Sequence, residues 1–104
     1  FINPELSFIK YRKRKIKITY KQLEDCYGLY DPNKQTLYLD QNLKGERLFN
    51  TIYHELFHVI CYNDDIDVNQ RGEEPIAKAV GDGYTRIFKQ NPNLWDILED
   101  CLFN

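Results

Sequence analysis

The stretch Thr51-Ile52-Tyr53-His54-Glu55-Leu56-Phe57-His58-Val59-Ile60 gathers both histidines of the chain into one His-Glu-x-x-His pattern inside an apolar run. On a helix of 3.6 residues per turn, His54 and His58 lie one above the other, where two imidazole nitrogens can meet a single Zn²⁺. Glu55 then stands beside the pair as a candidate base. Leu48, Phe49, Ile52, Leu56, Val59 and Ile60 recur at steps of three and four, while Arg47, Asn50, Thr51, His54, Glu55 and His58 gather on the remaining face. The pattern predicts a helix that packs one side and offers the other to a cleft. Its β-branched residues Thr51, Ile52, Val59 and Ile60 are mediocre helix formers, so burial has to hold the segment helical.

At 104 residues the chain suffices for one core and one domain, spanning 1–104. Apolar residues at 42% and aromatics at 14% exclude a disordered chain. A net charge of −2 gives no overall footprint for nucleic acid. Lys10-Tyr11-Arg12-Lys13-Arg14-Lys15-Ile16-Lys17 is a local basic exception, and such runs are most often solvated strand edges. Cys26, Cys61 and Cys101 are odd in number, widely spaced and without a Cys-x-x-Cys pair, which points to a reducing compartment. No apolar run is long enough to span a bilayer, and the opening residues show no charged leader followed by an apolar stretch. The expected location is cytoplasmic.

Upstream of the motif, Phe1–Ile9 has no clear period and reads as a lead-in. Lys15-Ile16-Lys17-Ile18-Thr19-Tyr20 alternates as a half-buried strand. Cys26–Tyr30 and Gln35–Leu39 flank Asp31-Pro32-Asn33-Lys34, a type I turn signal, and predict a β-hairpin. The motif helix is expected to begin between Leu43 and Glu46, with Asp40 or Asn42 as N-cap. Downstream, Tyr62–Gly72 is an acidic loop whose residues lack the offsets of an EF-hand, so it is read as solvated. A second helix is predicted from Glu73 to about Gln90, with Pro75 in its first turn; Ala77, Gly81 and Gly83 would allow close helix approach. After Asn91-Pro92-Asn93 a third helix runs from Leu94 to Phe103, with Trp95, Leu98 and Leu102 covering the core. The class is α+β: a small N-terminal antiparallel sheet of a strand plus a hairpin, packed on two or three helices.

A hydrolytic zinc site takes three protein ligands and leaves a position for water. With no third histidine, the remaining ligand has to be a carboxylate or a cysteine. Glu73 and Glu74 open the second helix fifteen and sixteen residues after His58. Glu74 is preferred, because Ala77 and Gly81 share its face and would permit contact with the histidine helix; Glu73 is the alternative.

His54-Glu55-Leu56-Phe57-His58 followed by Glu74-Pro75-Ile76-Ala77 resembles the gluzincin-type metallopeptidases of the ImmA/IrrE group and their short phage-encoded relatives. The likeness covers roughly Lys15 to Asn91. It implies a minimal zincin-like domain holding one zinc through His54, His58 and Glu74, with Glu55 as general base, acting on a protein or peptide such as a repressor-type regulator. Lys78 departs from the acidic residue that thermolysin-like enzymes place four positions after the ligand Glu, leaving Asp82 or a backbone carbonyl to orient a histidine. An oxyanion donor would be Tyr84 or Tyr53, and the hairpin strand Thr36-Leu37-Tyr38-Leu39 would pair with an extended substrate. Two other readings stand beside this one. One is a deformylase-like site with Cys26 as third ligand; the other is a metalloprotease-shaped binding module that grips a host or regulatory protein.

Overall fold

A computed structural model describes residues 6–69 and 72–103. Pro4 and the rest of the lead-in before Leu6, and Gln70 and Arg71 of the acidic loop, lie outside the described residues. Four strands precede three helices: β1 (Phe8–Tyr11), β2 (Arg14–Lys21), β3 (Gly28–Asp31), β4 (Thr36–Asp40), α1 (Gly45–Asn63), α2 (Glu73–Gln90) and α3 (Pro92–Phe103). The class is α+β, as the sequence indicates. The sheet order is β1-β2-β4-β3. β1 runs antiparallel to β2 and β3 antiparallel to β4, but β2 and β4 are parallel, with Ile18 opposite Leu37 and Tyr20 opposite Leu39. The sheet is therefore mixed rather than wholly antiparallel, because the β3–β4 hairpin folds back to place its second strand against β2.

β1 is a strand that the sequence reading merges into a lead-in. Four residues are too few to show a period, yet Ile9 and Tyr11 are fully buried and Phe8 and Lys10 are exposed. The inner face of the sheet supplies Ile9, Tyr11, Ile16, Ile18, Leu37 and Leu39, which meet Ile52, Leu56, Val59 and Ile60 of α1, Ile87 of α2 and Leu94 and Leu98 of α3. Leu94 and Leu98, rather than Trp95, face this core. Trp95 is 54% exposed and makes an edge contact with Phe88, because one residue on a helix turns the side chain by about 100°.

Other local expectations shift as well. α1 is preceded by Lys44, which makes no side-chain cap; Asp40 instead accepts the amide of Asn42 at 3.1 Å and shapes the turn. Of the small residues on α2, Gly83 carries the crossing with α1. A Cβ there would lie 2.5 Å from Ile60 Cγ2, whereas Gly81 has nothing within 4 Å and Ala77 is exposed.

The two sheet edges are treated differently. Along β1, Asn91, the C-cap of α2, accepts the Lys10 amide and donates to the Lys10 carbonyl, both at 2.8 Å, and donates again to Ile87 O. Gln90 does the same for Arg12, accepting its amide at 2.7 Å and donating to its carbonyl at 2.9 Å. Two side-chain amides thus stand in for a neighbouring strand and block the edge. Asn91→Ala is expected to cost about 2–3 kcal/mol in denaturant unfolding, since three hydrogen bonds worth roughly 1 kcal/mol each disappear. Asn91→Asp should be at least as damaging, because a carboxylate oxygen would face two carbonyls.

Where the reading expects a solvated acidic loop after α1, Asp64 is instead a tie between elements. It accepts hydrogen bonds from Tyr11 Oη and Arg12 Nε, with Arg86 of α2 3.8 Å away. Burial opposes its charge, but the hydrogen bonds from Arg12 and Tyr11 and the fields of Arg12 and Arg86 outweigh it and hold the carboxyl below its ordinary range. A depressed folded-state pKa contributes stability that is complete above the unfolded value near 3.9 and lost as pH falls through the folded one. Chemical unfolding followed from pH 7 to pH 2 should show that acid limb, and Asp64→Asn should lower the neutral plateau and flatten the limb.

Candidate metal centre

α1 brings the motif to the surface with its apolar side fixed in the core. The Nε2 atoms of His54 and His58 are 3.2 Å apart, with ring planes at 79°. Two imidazoles bound to one tetrahedral zinc at 2.0–2.1 Å would have their nitrogens about 3.3–3.4 Å apart, so the pair fits that ion. Both histidines are exposed, whereas Glu55 is 6% exposed and places Oε2 3.9 Å from His54 Nε2. The ligand atoms of all three residues lie within 4.8 Å of one another. Burial pushes the Glu55 carboxyl above its ordinary range; His58, His54 and a backbone hydrogen bond from Tyr30 pull the other way without cancelling it. Glu55 is thus a carboxyl of enhanced basicity held beside the point at which the imidazoles converge.

What holds Glu55 is β3. A Cβ on Gly28 would come within 2.7 Å of Thr51 Cγ2 and 3.1 Å of Glu55 Cγ, so only glycine lets the strand lie this close to the helix. The hydrogen bond from the Asp40 amide to Tyr27 O sets the phase of the β3–β4 ladder. In antiparallel alternation, Leu29 and Asp31 then face β4, and the backbone groups of Gly28 and Tyr30 face the open edge. The Tyr30 amide goes to Glu55, which leaves Gly28 and the Tyr30 carbonyl to meet an added chain. β3, not β4, is the edge strand beside the histidines; β4 is enclosed between β2 and β3.

A groove runs along this edge to either side of the motif. One half, about 1040 Å³, passes Tyr30, Tyr62 and Asn63; the other, about 1100 Å³, passes Cys26, Tyr27 and Arg47; both include Gly28, His54 and Glu55. The first half has a polar wall absent from the sequence reading. Asn63 donates to Tyr30 Oη at 3.1 Å and to Val59 O at 2.7 Å, Tyr30 donates to Gln35 at 2.7 Å, and Arg14 donates to Asn63 at 3.1 Å. These residues come from β2, β3, the turn after β3 and α1, and no local spacing marks them.

Of the four predicted site residues, the structure brings together His54, Glu55 and His58, and Glu74 does not join them. Glu73 and Glu74 both stand exposed in the first turn of α2, outside the His54–Glu55–His58 group. Helix geometry accounts for this: α2 meets α1 at Gly83, and Glu74, nine residues earlier, is about half a turn away from that contact, while Glu73 is turned roughly 80° from it. Asp82 does not approach a histidine either, since it pairs with Lys78 at 3.0 Å in solvent. Tyr84 and Tyr53, the candidate oxyanion donors, stack on each other at 4.4 Å, and the Tyr84 hydroxyl donates to Tyr53 O at 2.6 Å. Burial, with Tyr53 and Cys61 nearby, raises the Tyr84 phenol far above its ordinary pKa. Neither ring lines the groove, where the tyrosines are Tyr27, Tyr30 and Tyr62. Cys26 does line it, but its sulfur lies outside the His54–Glu55–His58 group.

No helix among the described residues is long and apolar enough to cross a membrane. The chain matches no protein-family model, no curated protein and no solved structure.

Proposed function

We propose that this protein is a zinc-dependent peptidase that cleaves an extended protein or peptide segment laid along β3. The observation that carries the reading is the 3.2 Å approach of two Nε2 atoms next to a buried carboxyl. His54 and His58 would hold the zinc, which when bound would supply Lewis-acid chemistry toward water and the scissile carbonyl. Glu55, kept basic by burial and oriented by the Tyr30 amide, takes a proton at its carboxylate and returns it to the leaving amine. The backbone of Gly28 and the Tyr30 carbonyl align the substrate as an additional strand. Glu74, or alternatively Glu73, is the third ligand in this proposal on the strength of its position in the sequence alone, since the fold leaves both acids exposed and outside the histidine group. A repressor-type regulator is the substrate class that the resemblance implies, and three free cysteines agree with a cytoplasmic setting.

A second reading is a module that grips a partner without cleaving it, favoured by the exposed Tyr27, Leu29 and Tyr62 along the groove. Glu55→Gln separates the two. As a peptidase, the variant is expected to keep one zinc per chain and lose cleavage of a denatured-protein substrate by at least about a hundredfold, the scale of losing a general base. Full biological effect in the variant would assign the protein to binding.

A further inference from the structure

Residues 8–21 carry seven of the fourteen Lys and Arg and no acid, so the rest of the chain holds seven cations against sixteen acids. The structure turns this asymmetry into a surface. All the buried strand residues of the core face the helices, and the alternate residues of β1 and β2 form the opposite face, which no helix among the described residues covers. In register, Lys10 stands opposite Lys15 and Phe8 opposite Lys17, with Lys13 at the hairpin tip. None of these four lysines pairs with a described carboxylate. Two aromatic rings lie on the same face: Phe8 on β1, and Tyr38 on β4 opposite Thr19 of β2. Lys15 rests over Phe8 at 4.2 Å and Lys21 over Tyr38 at 4.4 Å.

We infer that this open sheet face binds single-stranded nucleic acid. Lysines two residues apart on β2 are spaced about 6.6–6.8 Å along the strand, giving a row of cations for a phosphate backbone. Phe8 and Tyr38 supply flat rings on which unpaired bases stack, the arrangement that favours single strands over duplexes, whose bases already stack on one another. A base that displaces Lys15 from Phe8 or Lys21 from Tyr38 frees an ammonium for phosphate. An acidic protein would use the lysines but gain nothing from the rings, so the aromatic pair decides between these partners. The face lies on the opposite side of the sheet from the groove, so it can be filled while the groove is open.

Fluorescence anisotropy with a labelled 15-nucleotide oligo(dT), the matching duplex and a labelled polyglutamate peptide tests the inference on the full chain. The expected result is preference for the single strand, with affinity falling as salt rises at a log–log slope of about −3, as for four lysines neutralising phosphates. Lys15→Glu with Lys17→Glu should abolish binding. Tyr38→Leu should weaken it about tenfold while leaving the salt slope unchanged. Circular dichroism melts and zinc content identical to the parent would show that these variants are folded, and Lys13→Glu at the exposed hairpin tip provides a milder charge change. No binding of oligo(dT) at 50 mM salt, equal affinity for the duplex, or polyglutamate binding that matches oligo(dT) and ignores Tyr38→Leu would overturn the assignment.

Discussion

His58→Ala is expected to take the purified protein from one equivalent of zinc to none after dialysis. One imidazole on this surface, with a neighbouring carboxylate, is no more than an ordinary weak site; affinity comes from two nitrogens already set at the separation a tetrahedral ion needs. The readout need not involve catalysis. Zinc at a hundred times its dissociation constant stabilises a folded protein that binds it by about 2.7 kcal/mol. For a domain of this size that corresponds to a melting-temperature rise on the order of 10 °C. The parent should show that rise on adding zinc, and His58→Ala and His54→Ala should not. Because both histidines are exposed and outside the core, neither substitution should change the melting temperature in the presence of chelator by more than about 0.5 kcal/mol worth of stability. Glu74→Ala and Glu73→Ala, measured alongside, identify the third ligand: its loss should weaken zinc binding, while loss of the other should leave it intact. A parent that shows no zinc-dependent shift would remove the peptidase proposal altogether.

Gly83→Ala is the second large effect, and it acts on folding. On helix propensity alone the change should stabilise by about 1 kcal/mol. The site opposes this, because the new Cβ would stand 2.5 Å from Ile60 Cγ2 and 2.9 Å from Cγ1, atoms near the backbone of α1 that cannot swing aside. Overpacking of this kind costs about 1–3 kcal/mol, and opening α1 from α2 would also disturb the Tyr53–Tyr84 stack. A net loss of roughly 1–2 kcal/mol is therefore expected in urea unfolding. Ile60→Ala removes the colliding atoms, so Gly83→Ala in that background should become neutral or stabilising, giving a coupling between the two sites. Equal effects of Gly83→Ala in both backgrounds would show that the helices do not cross at this glycine. Gly81→Ala, with open space around it, should show the propensity gain alone.

The contrast between Gly81 and Gly83 also marks how far the sequence can be read. α1 is legible because nineteen residues give the 3.6-residue period time to appear, and the same period places His54 and His58 on one face. α2 is legible in extent, from Glu73 to Gln90, but not in phase. Both faces of its first half contain small residues, and only Ile60 on another helix decides which one is packed. Glu74 follows that phase, and its preference over Glu73 rests on a face, shared with Ala77 and Gly81, that the fold leaves in solvent. The β3–β4 hairpin is visible in its turn residues, whereas its placement beside β2 is a long-range choice with no local trace. That choice encloses Thr36–Asp40 and exposes Gly28–Asp31, so the strand serving the site changes. Asn63, Gln35 and Arg14 were beyond reach for the same reason.

The side-chain amides of Gln90 and Asn91 have a consequence for oligomerisation. With β1 blocked at Lys10 and beyond its end at Arg12, β3 is the more open edge among the described residues, and a second molecule pairing there would cover the histidine pair of each subunit with the partner's backbone. Under the peptidase proposal, strand-mediated homodimers would be self-occluded, and a substrate strand would have to compete with such pairing.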